Sequence, residues 1–165
     1  MSDQTIAERL QPSLLDRLTD DDPLSSTERR EARVIDLRQL RDIIQRDLSW
    51  LLNTPNSSSH IDPDVFPHAA KSVLAYGIRE VAGEFSTAER ADLIRKSIQA
   101  SIQVFEPRIH PGSIAIELRL DSEAQETVIN FDIRADMWAQ PMPIELYLRS
   151  QVDVTTGELE LERVG

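Results

Sequence analysis

Glu106, Pro107 and Arg108 place two opposite charges on either side of a proline, where a helical pattern stops and an alternating pattern begins. Proline disfavours helical geometry in the residue before it, so the helix that reaches Phe105 should end there. Carboxylate and guanidinium groups form strong, often bidentate hydrogen bonds with groups of opposite charge. The sequence therefore predicts a rigid corner suited to recognition. From the residues alone, the favoured alternative is that Glu106 and Arg108 simply pair with each other.

Paired carboxylates are also the chemistry of glycoside hydrolysis, which needs two acids about 5–10 Å apart, one of them kept protonated. Glu80 with Glu84 and Glu106 with Glu117 are the pairs that the sequence offers. The local pattern does not isolate either pair from water, so a hydrolase is the minority interpretation.

Metal and cofactor chemistry has little support. His60, Asp62 and Asp64 could imitate a metal site, but acids beside a proline are more often turn formers than ligands. The chain has no cysteine, and its five glycines are scattered and form no phosphate-binding loop. We predict no catalytic residue, no cofactor and no metal.

The composition is that of a single globular domain with an aliphatic core. Of 165 residues, 40% are hydrophobic and only 5% aromatic, and acids outnumber bases by 29 to 18, for a net charge of -11. Such a charge repels phosphate backbones, so nucleic-acid binding is disfavoured. No apolar run approaches the length of a signal peptide or a membrane span, and we expect a cytoplasmic protein without direct membrane insertion.

Residues 12–18 form a short amphipathic piece, and the acidic run 19–23 follows it. We interpret residues 1–25 as a docking segment with an acidic linker, although charge runs are most often only solvated linkers. Residues 26–165 are expected to form one α+β domain. Within it, Gly77 and Gly83 are expected to permit positive φ in turns.

Two long helices are predicted before the sheet. The first runs over 26–52, with Ser26 or Thr27 as its cap and a buried stripe that includes Leu37. Trp50, near its end, is expected in the core, whereas Trp138 is more open to a partner. The second helix runs from Ser86, with a capping-box pattern, to Phe105.

After Pro111 the hydrophobic period changes from about 3.6 to 2. The alternation repeats through several hairpin-like connections, which predicts an antiparallel meander with one covered face. The expected fold is α+β, with N-terminal helices packed on one face of a C-terminal antiparallel sheet of about four strands. The residues that alternate include Ile114, Ile116, Leu118, Leu120, Ile129, Phe131, Ile133, Ala135, Ile144, Leu146 and Leu148.

Four segments in order, 13–18, 46–54, 72–78 and 105–109, resemble the TssE family of type VI secretion baseplate wedge subunits. The resemblance covers most of the chain, from 12 to 164, and the strand-turn residues 155–158 fit it too. Ala75 and residues 79–83 differ from the sequence that is usual in the family, which puts local loop contacts in doubt. The family is similar to the small wedge protein of contractile phage tails, often labelled lysozyme-like.

The resemblance implies a structural function rather than catalysis. It implies assembly with the wedge proteins TssF and TssG, and with TssK, in a baseplate docked at the inner membrane through other proteins. It also implies a role in starting the contractile sheath of TssB and TssC. Glu106, Pro107 and Arg108 fall on the family's Glu-Pro-Arg motif, which implies that they contact neighbouring subunits. The alternatives are a muramidase-like peptidoglycan hydrolase and a free-standing adaptor that binds one peptide.

Overall fold

The computed structural model describes residues 13–19, 24, 35–82, 88–119, 127–138 and 143–164. Helices come first and a four-stranded antiparallel sheet follows, so the predicted α+β fold is confirmed. No helix among the described residues is long and apolar enough to span a membrane. The elements are α1 (Leu14–Leu18), α2 (Leu37–Leu52), α3 (Ala88–Phe105), β1 (Ala115–Arg119), β2 (Val128–Met137), β3 (Ile144–Asp153) and β4 (Leu159–Arg163).

The chain divides into two compact units, Met1–Ile44 and Gln45–Gly165. The described part of the first unit holds α1 and the first half of α2. The second unit holds the end of α2, α3 and the whole sheet.

The sheet has the strand order β1-β2-β3-β4, with every neighbouring pair antiparallel. Phe131 on β2 lies opposite Leu118 on one side and Ser150 on the other. Along β2 and β3 the residues that alternate in sequence are buried, as the period of two predicts; they are Ile129, Phe131, Ile133, Ala135, Leu146, Leu148, Ser150 and Val152. Leu118 departs from the pattern and is partly exposed, because β1 is an edge strand.

The predicted start of the first long helix is wrong, since α2 begins at Leu37. The backbone N–H of Gln39 donates to Asp36 Oδ1 at 2.7 Å, and the Asp36 N–H donates to Gln39 Oε1 at 2.8 Å. This reciprocal capping box satisfies two donors at the helix start. Leu37 is exposed rather than buried, and the caps expected at Ser26 and Thr27 lie outside the described residues.

The second of the two predicted long helices is α3, and Phe105, which was expected on its buried stripe, is half-buried. Ala91, Ile94, Ile98 and Ile102 form its buried stripe, and it ends at Phe105, as Pro107 requires. The cap expected at Ser86 lies outside the described residues.

The side chains of Gln45, in the middle of α2, and of Asn53, just after α2, occupy the outer edge of β4. Asn53 Nδ2 donates to the Leu159 carbonyl at 2.8 Å, and the Leu159 N–H donates to Asn53 Oδ1 at 2.9 Å. Gln45 Nε2 donates to the Leu161 carbonyl at 3.0 Å. Asn53 thus bonds Leu159 as a neighbouring strand would, and β4 is closed to a further strand at these positions.

Gly77 has a φ of 109°, so the positive φ predicted for it is confirmed. Gly83, the other glycine predicted to have a positive φ, lies outside the described residues. The Ile78 N–H donates to the Thr54 carbonyl, and the Asn56 N–H to the Ile78 carbonyl, so this turn joins the loop after α2. A Cβ added at Gly77 would lie 2.0 Å from the Thr54 carbonyl oxygen. Only glycine fits there.

Gly77→Ala should therefore lower the free energy of unfolding by at least about 2 kcal/mol, because it combines an unfavourable φ with a backbone collision. Urea denaturation measures the change. The matched control is Gly112→Ala, whose Cβ would meet only the His110 ring at 3.7 Å. A Gly77→Ala protein as stable as the control would contradict this account of the turn.

Candidate functional site

The corner at Glu106, Pro107 and Arg108 is held by backbone hydrogen bonds on both sides. The Glu106 N–H donates to the Ile102 carbonyl at 3.0 Å, which closes the last turn of α3. Beyond the proline, the Trp138 N–H donates to the Arg108 carbonyl at 2.8 Å, next to an antiparallel bridge between Ile109 and Met137. The corner therefore ties the end of α3 to the end of β2.

The Glu106 carboxylate is only 4% exposed and is held by Arg108. Arg108 Nε donates to Oε1 at 2.7 Å and Nη2 donates to Oε2 at 2.5 Å, a bidentate fork. The Arg108 backbone N–H adds a third bond to Oε1 at 3.0 Å. Both carboxylate oxygens are thus satisfied inside the chain, as a buried charge requires.

Asp47, on α2, is the second partner of Arg108. Arg108 Nη2 donates to Asp47 Oδ2 at 2.6 Å, and Arg46 donates to the other oxygen, Oδ1, through Nε at 3.0 Å and Nη2 at 2.7 Å. Two guanidinium groups and two carboxylates alternate along one continuous network. Through it, α2 is locked to the corner.

Trp50 lies at one end of this network and is 51% exposed, so its expected place in the core is wrong. The Arg46 guanidinium sits 4.7 Å from the centre of its ring, within range of a cation–π contact. Leu48, Leu51 and Leu52 lie on the buried side of α2. Trp50 comes two positions after Leu48, so its side chain points about 200° around the helix axis from that of Leu48 and faces the exposed side.

Trp138 follows β2 and is 56% exposed, while its contact with a partner stays a prediction. Its ring lies 4.7 Å from that of His110, with the planes tilted by 31°. Both tryptophans of the chain are therefore connected to Arg108, one through Asp47 and Arg46 and the other through the backbone. We call Arg46, Trp50, Pro107, Arg108 and Trp138 the corner surface.

The pKa values of two groups at the corner, Arg108 and Tyr76, are raised. Burial alone lowers the pKa of Arg108, but hydrogen bonds to Glu106 and Asp47 outweigh it and the net shift is upward. Burial raises the pKa of Tyr76, and the charges of Asp47 and Glu106 add to this effect. Arg108 therefore stays cationic and Tyr76 neutral at physiological pH.

The structure brings Glu106 and Arg108 together and leaves Pro107 exposed, whereas contact with another subunit stays a prediction. Sequence reasoning missed Asp47. The available signal was its position on α2, directly before the buried Leu48 and four residues before the buried Leu51. A carboxylate on the flank of a buried stripe needs a cation close by.

Of the two acid pairs weighed for hydrolysis, only Glu106 with Glu117 lies wholly within the described residues. Both carboxylate oxygens of Glu106 accept hydrogen bonds from Arg108 and the side chain is buried, so it is poorly placed to reach a substrate. Glu117 lies exposed on β1, and Glu84 lies outside the described residues.

The loop weighed for metal binding uses its acids in a turn. Asp62 Oδ1 accepts a hydrogen bond from the Asp64 N–H at 2.9 Å, as in an Asx turn. No group of three potential ligating side chains occurs within the described ranges.

Arg108→Ala should lower the free energy of unfolding by about 2–4 kcal/mol, because it leaves the buried Glu106 carboxylate without its cation. The value is below that of fully buried pairs since Arg108 itself is partly exposed. Lys96→Ala, which removes an exposed ion pair with Asp92, is the control and should change little. Equal urea midpoints for the two variants would contradict this role of the fork.

Comparison with known families finds one match that includes the corner. The family model of the baseplate wedge protein gp25 matches residues 38–142, which is more than half of the chain. Comparison with curated proteins and with solved structures finds no match. The matched region includes most of α2, all of α3, β1 and β2, and the complete network around Arg108. The resemblance to baseplate wedge proteins is thereby confirmed, and the chain belongs to the baseplate wedge protein gp25 family.

Proposed function

We propose that this chain is the wedge subunit of a type VI secretion baseplate. It assembles in the cytoplasm with TssF and TssG, and with TssK, and it helps to start the sheath of TssB and TssC. Its function is structural, without catalysis. Membership in the baseplate wedge family is the observation that carries the proposal. The type of secretion machine and the partners rest on the four sequence segments at 13–18, 46–54, 72–78 and 105–109.

The corner surface is the proposed contact with the neighbouring wedge proteins. Each of the two exposed indoles has a partly exposed arginine next to it, Arg46 at Trp50 and Arg108 at Trp138. Tryptophan and arginine are residue types that dominate binding energy in protein interfaces. The Trp50 ring already packs against the Arg46 guanidinium and the Trp138 ring against His110, so less conformational entropy is lost when a partner binds.

Within this surface, the two charges of the motif have different roles. Glu106 is buried and its oxygens are occupied by Arg108, so it contributes by holding the guanidinium in position. The bonds of Arg108 to described residues use Nε and Nη2, which leaves Nη1 for a partner acceptor. A carboxylate or a carbonyl on the partner suits this position.

The start of the sheath is proposed to occur by addition of a strand to β1. This strand is an edge of the sheet, and Ala115, Glu117 and Leu118 are exposed on it. The opposite edge, β4, is occupied by Asn53 and Gln45 at Leu159 and Leu161. An extended segment from a sheath subunit gains main-chain hydrogen bonds most easily at β1.

The corner is tested by the affinity of the purified chain for a TssF–TssG complex. Trp138→Ala and Arg108→Lys should each weaken binding by at least about tenfold, the first by removing an anchor and the second by removing the planar fork. Leu93→Ala is the control, because Leu93 is an exposed apolar residue on α3 outside the corner surface.

Arg108→Glu is not a useful test, since it would place a third carboxylate beside Glu106 and Asp47 and disturb the fold. Thermal unfolding of Trp138→Ala should match that of the wild type. Unchanged affinity of both variants would refute the corner as the interface. A wild-type chain that does not bind TssF–TssG at all would refute the wedge function itself.

The strand addition is tested by amide hydrogen exchange. When sheath subunits TssB and TssC are added to the assembled baseplate, the amides of β1 should become more protected, and those of β4 should change little. Protection at β4 instead of β1 would show that the sheath uses the other edge or displaces Asn53.

A further inference from the structure

Val73 and Leu74 are two adjacent apolar residues at the surface of segment 72–78, which lies outside the corner surface. Val73 is 83% and Leu74 61% exposed, whereas Ala75 and Ile78 of the same segment are buried. Single exposed apolar residues need no explanation, but neighbouring ones form a patch of the kind that marks interaction sites.

Hydrogen bonds fix the turn that carries this pair. Val73–Ala75 forms a 3-10 turn, closed by a bond of 2.9 Å from the Ala75 N–H to the Ser72 carbonyl. The Ser72 hydroxyl accepts from the Leu74 N–H at 3.3 Å and donates to the Ala69 carbonyl at 2.8 Å. The backbone therefore holds both apolar side chains at the surface before any partner binds.

The residues that follow the turn anchor it on α3. Ser101 Oγ donates to the Gly77 carbonyl at 2.8 Å, and the Arg79 N–H donates to Ser97 Oγ at 3.1 Å. Ser97 and Ser101 are four positions apart and lie on one side of the helix. These two bonds set the position of the turn relative to α3.

Tyr76 connects the turn to the corner. Its ring meets that of Phe105 edge to face, with the ring centres 5.4 Å apart and the planes at 68°. Phe105 directly precedes Glu106, and the charges of Asp47 and Glu106 both act on the Tyr76 hydroxyl. The turn therefore adjoins the corner surface.

Lys71 gives the other side of the turn a positive charge. It is exposed, lies two residues before Val73, and is one of only two lysines in the chain. The other, Lys96, forms an ion pair with Asp92 at 2.7 Å, whereas Lys71 has no acidic partner among the residues that the structure describes. An available ammonium group beside two apolar side chains suits a partner segment that carries apolar residues and a carboxylate.

A second copy of this chain is a poor candidate for that partner. Two copies, each with a net charge of -11, repel one another. The partner that covers the adjoining corner surface is therefore the favoured occupant.

We propose that Lys71, Val73 and Leu74 form a second contact for the wedge protein that covers the corner surface. An apolar segment of that protein packs on Val73 and Leu74, and a carboxylate of the same segment pairs with Lys71. This inference rests on the proposed function, because it places the segment on a neighbouring wedge protein. We call these three residues the turn surface.

Binding to a purified TssF–TssG complex tests the apolar part. Val73→Ala with Leu74→Ala should weaken binding at least about tenfold, because two apolar side chains lose contact area. Leu93→Ala is the control, since Leu93 is exposed on α3 about 18 Å along the helix axis from Phe105. Both proteins should unfold at the temperature of the wild type, because the substituted side chains are exposed.

Lys71→Gln tests the electrostatic part. It should weaken binding at low salt and reduce the salt dependence of binding, because one ion pair with the partner is lost. Lys96→Gln is the matched control, since Lys96 already pairs within α3. An unchanged salt dependence for Lys71→Gln would overturn the pairing with a carboxylate.

Carbodiimide cross-linking identifies what Lys71 meets, because this reagent joins an amine to a carboxylate in direct contact. In the assembled complex, mass spectrometry should find Lys71 linked to TssF or TssG. A link to a second copy of this chain, or to an acid of the same chain, would overturn the inference.

The binding assay separates failure of this inference from failure of the proposed function. If the wild type binds and the Val73 and Leu74 double variant binds equally well, the turn surface is refuted while the wedge function stands. A lower unfolding temperature for the double variant would show that the two side chains pack within the chain, which also refutes it. If the wild type does not bind, both fail.

Discussion

The structure around the candidate site depends on the burial of one carboxylate, that of Glu106. A charge removed from water must be matched by a cation and by hydrogen bonds, and Arg108 provides both. Because Arg108 also bonds Asp47 on α2 and, through its backbone, Trp138 after β2, one ion pair fixes the relation of three elements. The proline between the two charges keeps their side chains in register for this fork.

In this arrangement, the residue that holds Arg108 in place is buried, and the large rings on either side are exposed. The buried oxygens of Glu106 accept hydrogen bonds from the Arg108 guanidinium and fix its position. Trp50 and Trp138, on either side of it, remain exposed. A surface built in this way is ordered before a partner arrives, as the proposed assembly function requires. The charges within the network balance, so its attraction for a partner comes from shape and from exposed rings more than from net charge.

The sequence predicted the features that depend on local pattern and on proline. These include the end of α3 at Phe105, the alternation along β2 and β3, and the positive φ of Gly77. It failed where a contact between distant residues decided the outcome. The link from Asp47 to Arg108 spans 61 positions, and periodicity carries no information about such a pair. Trp50 was misplaced because residue size was weighed above its angle on the helix.

The Asn53 side-chain amide, which bonds both the N–H and the carbonyl of Leu159, should reduce aggregation at high protein concentration. An uncovered outer strand invites the same strand of another molecule, and two such sheets can fuse into one continuous sheet. At Leu159 on β4 this pairing is blocked, because the Asn53 amide already bonds the backbone N–H and carbonyl that a further strand would use. Free molecules are thereby hindered from pairing with one another along β4.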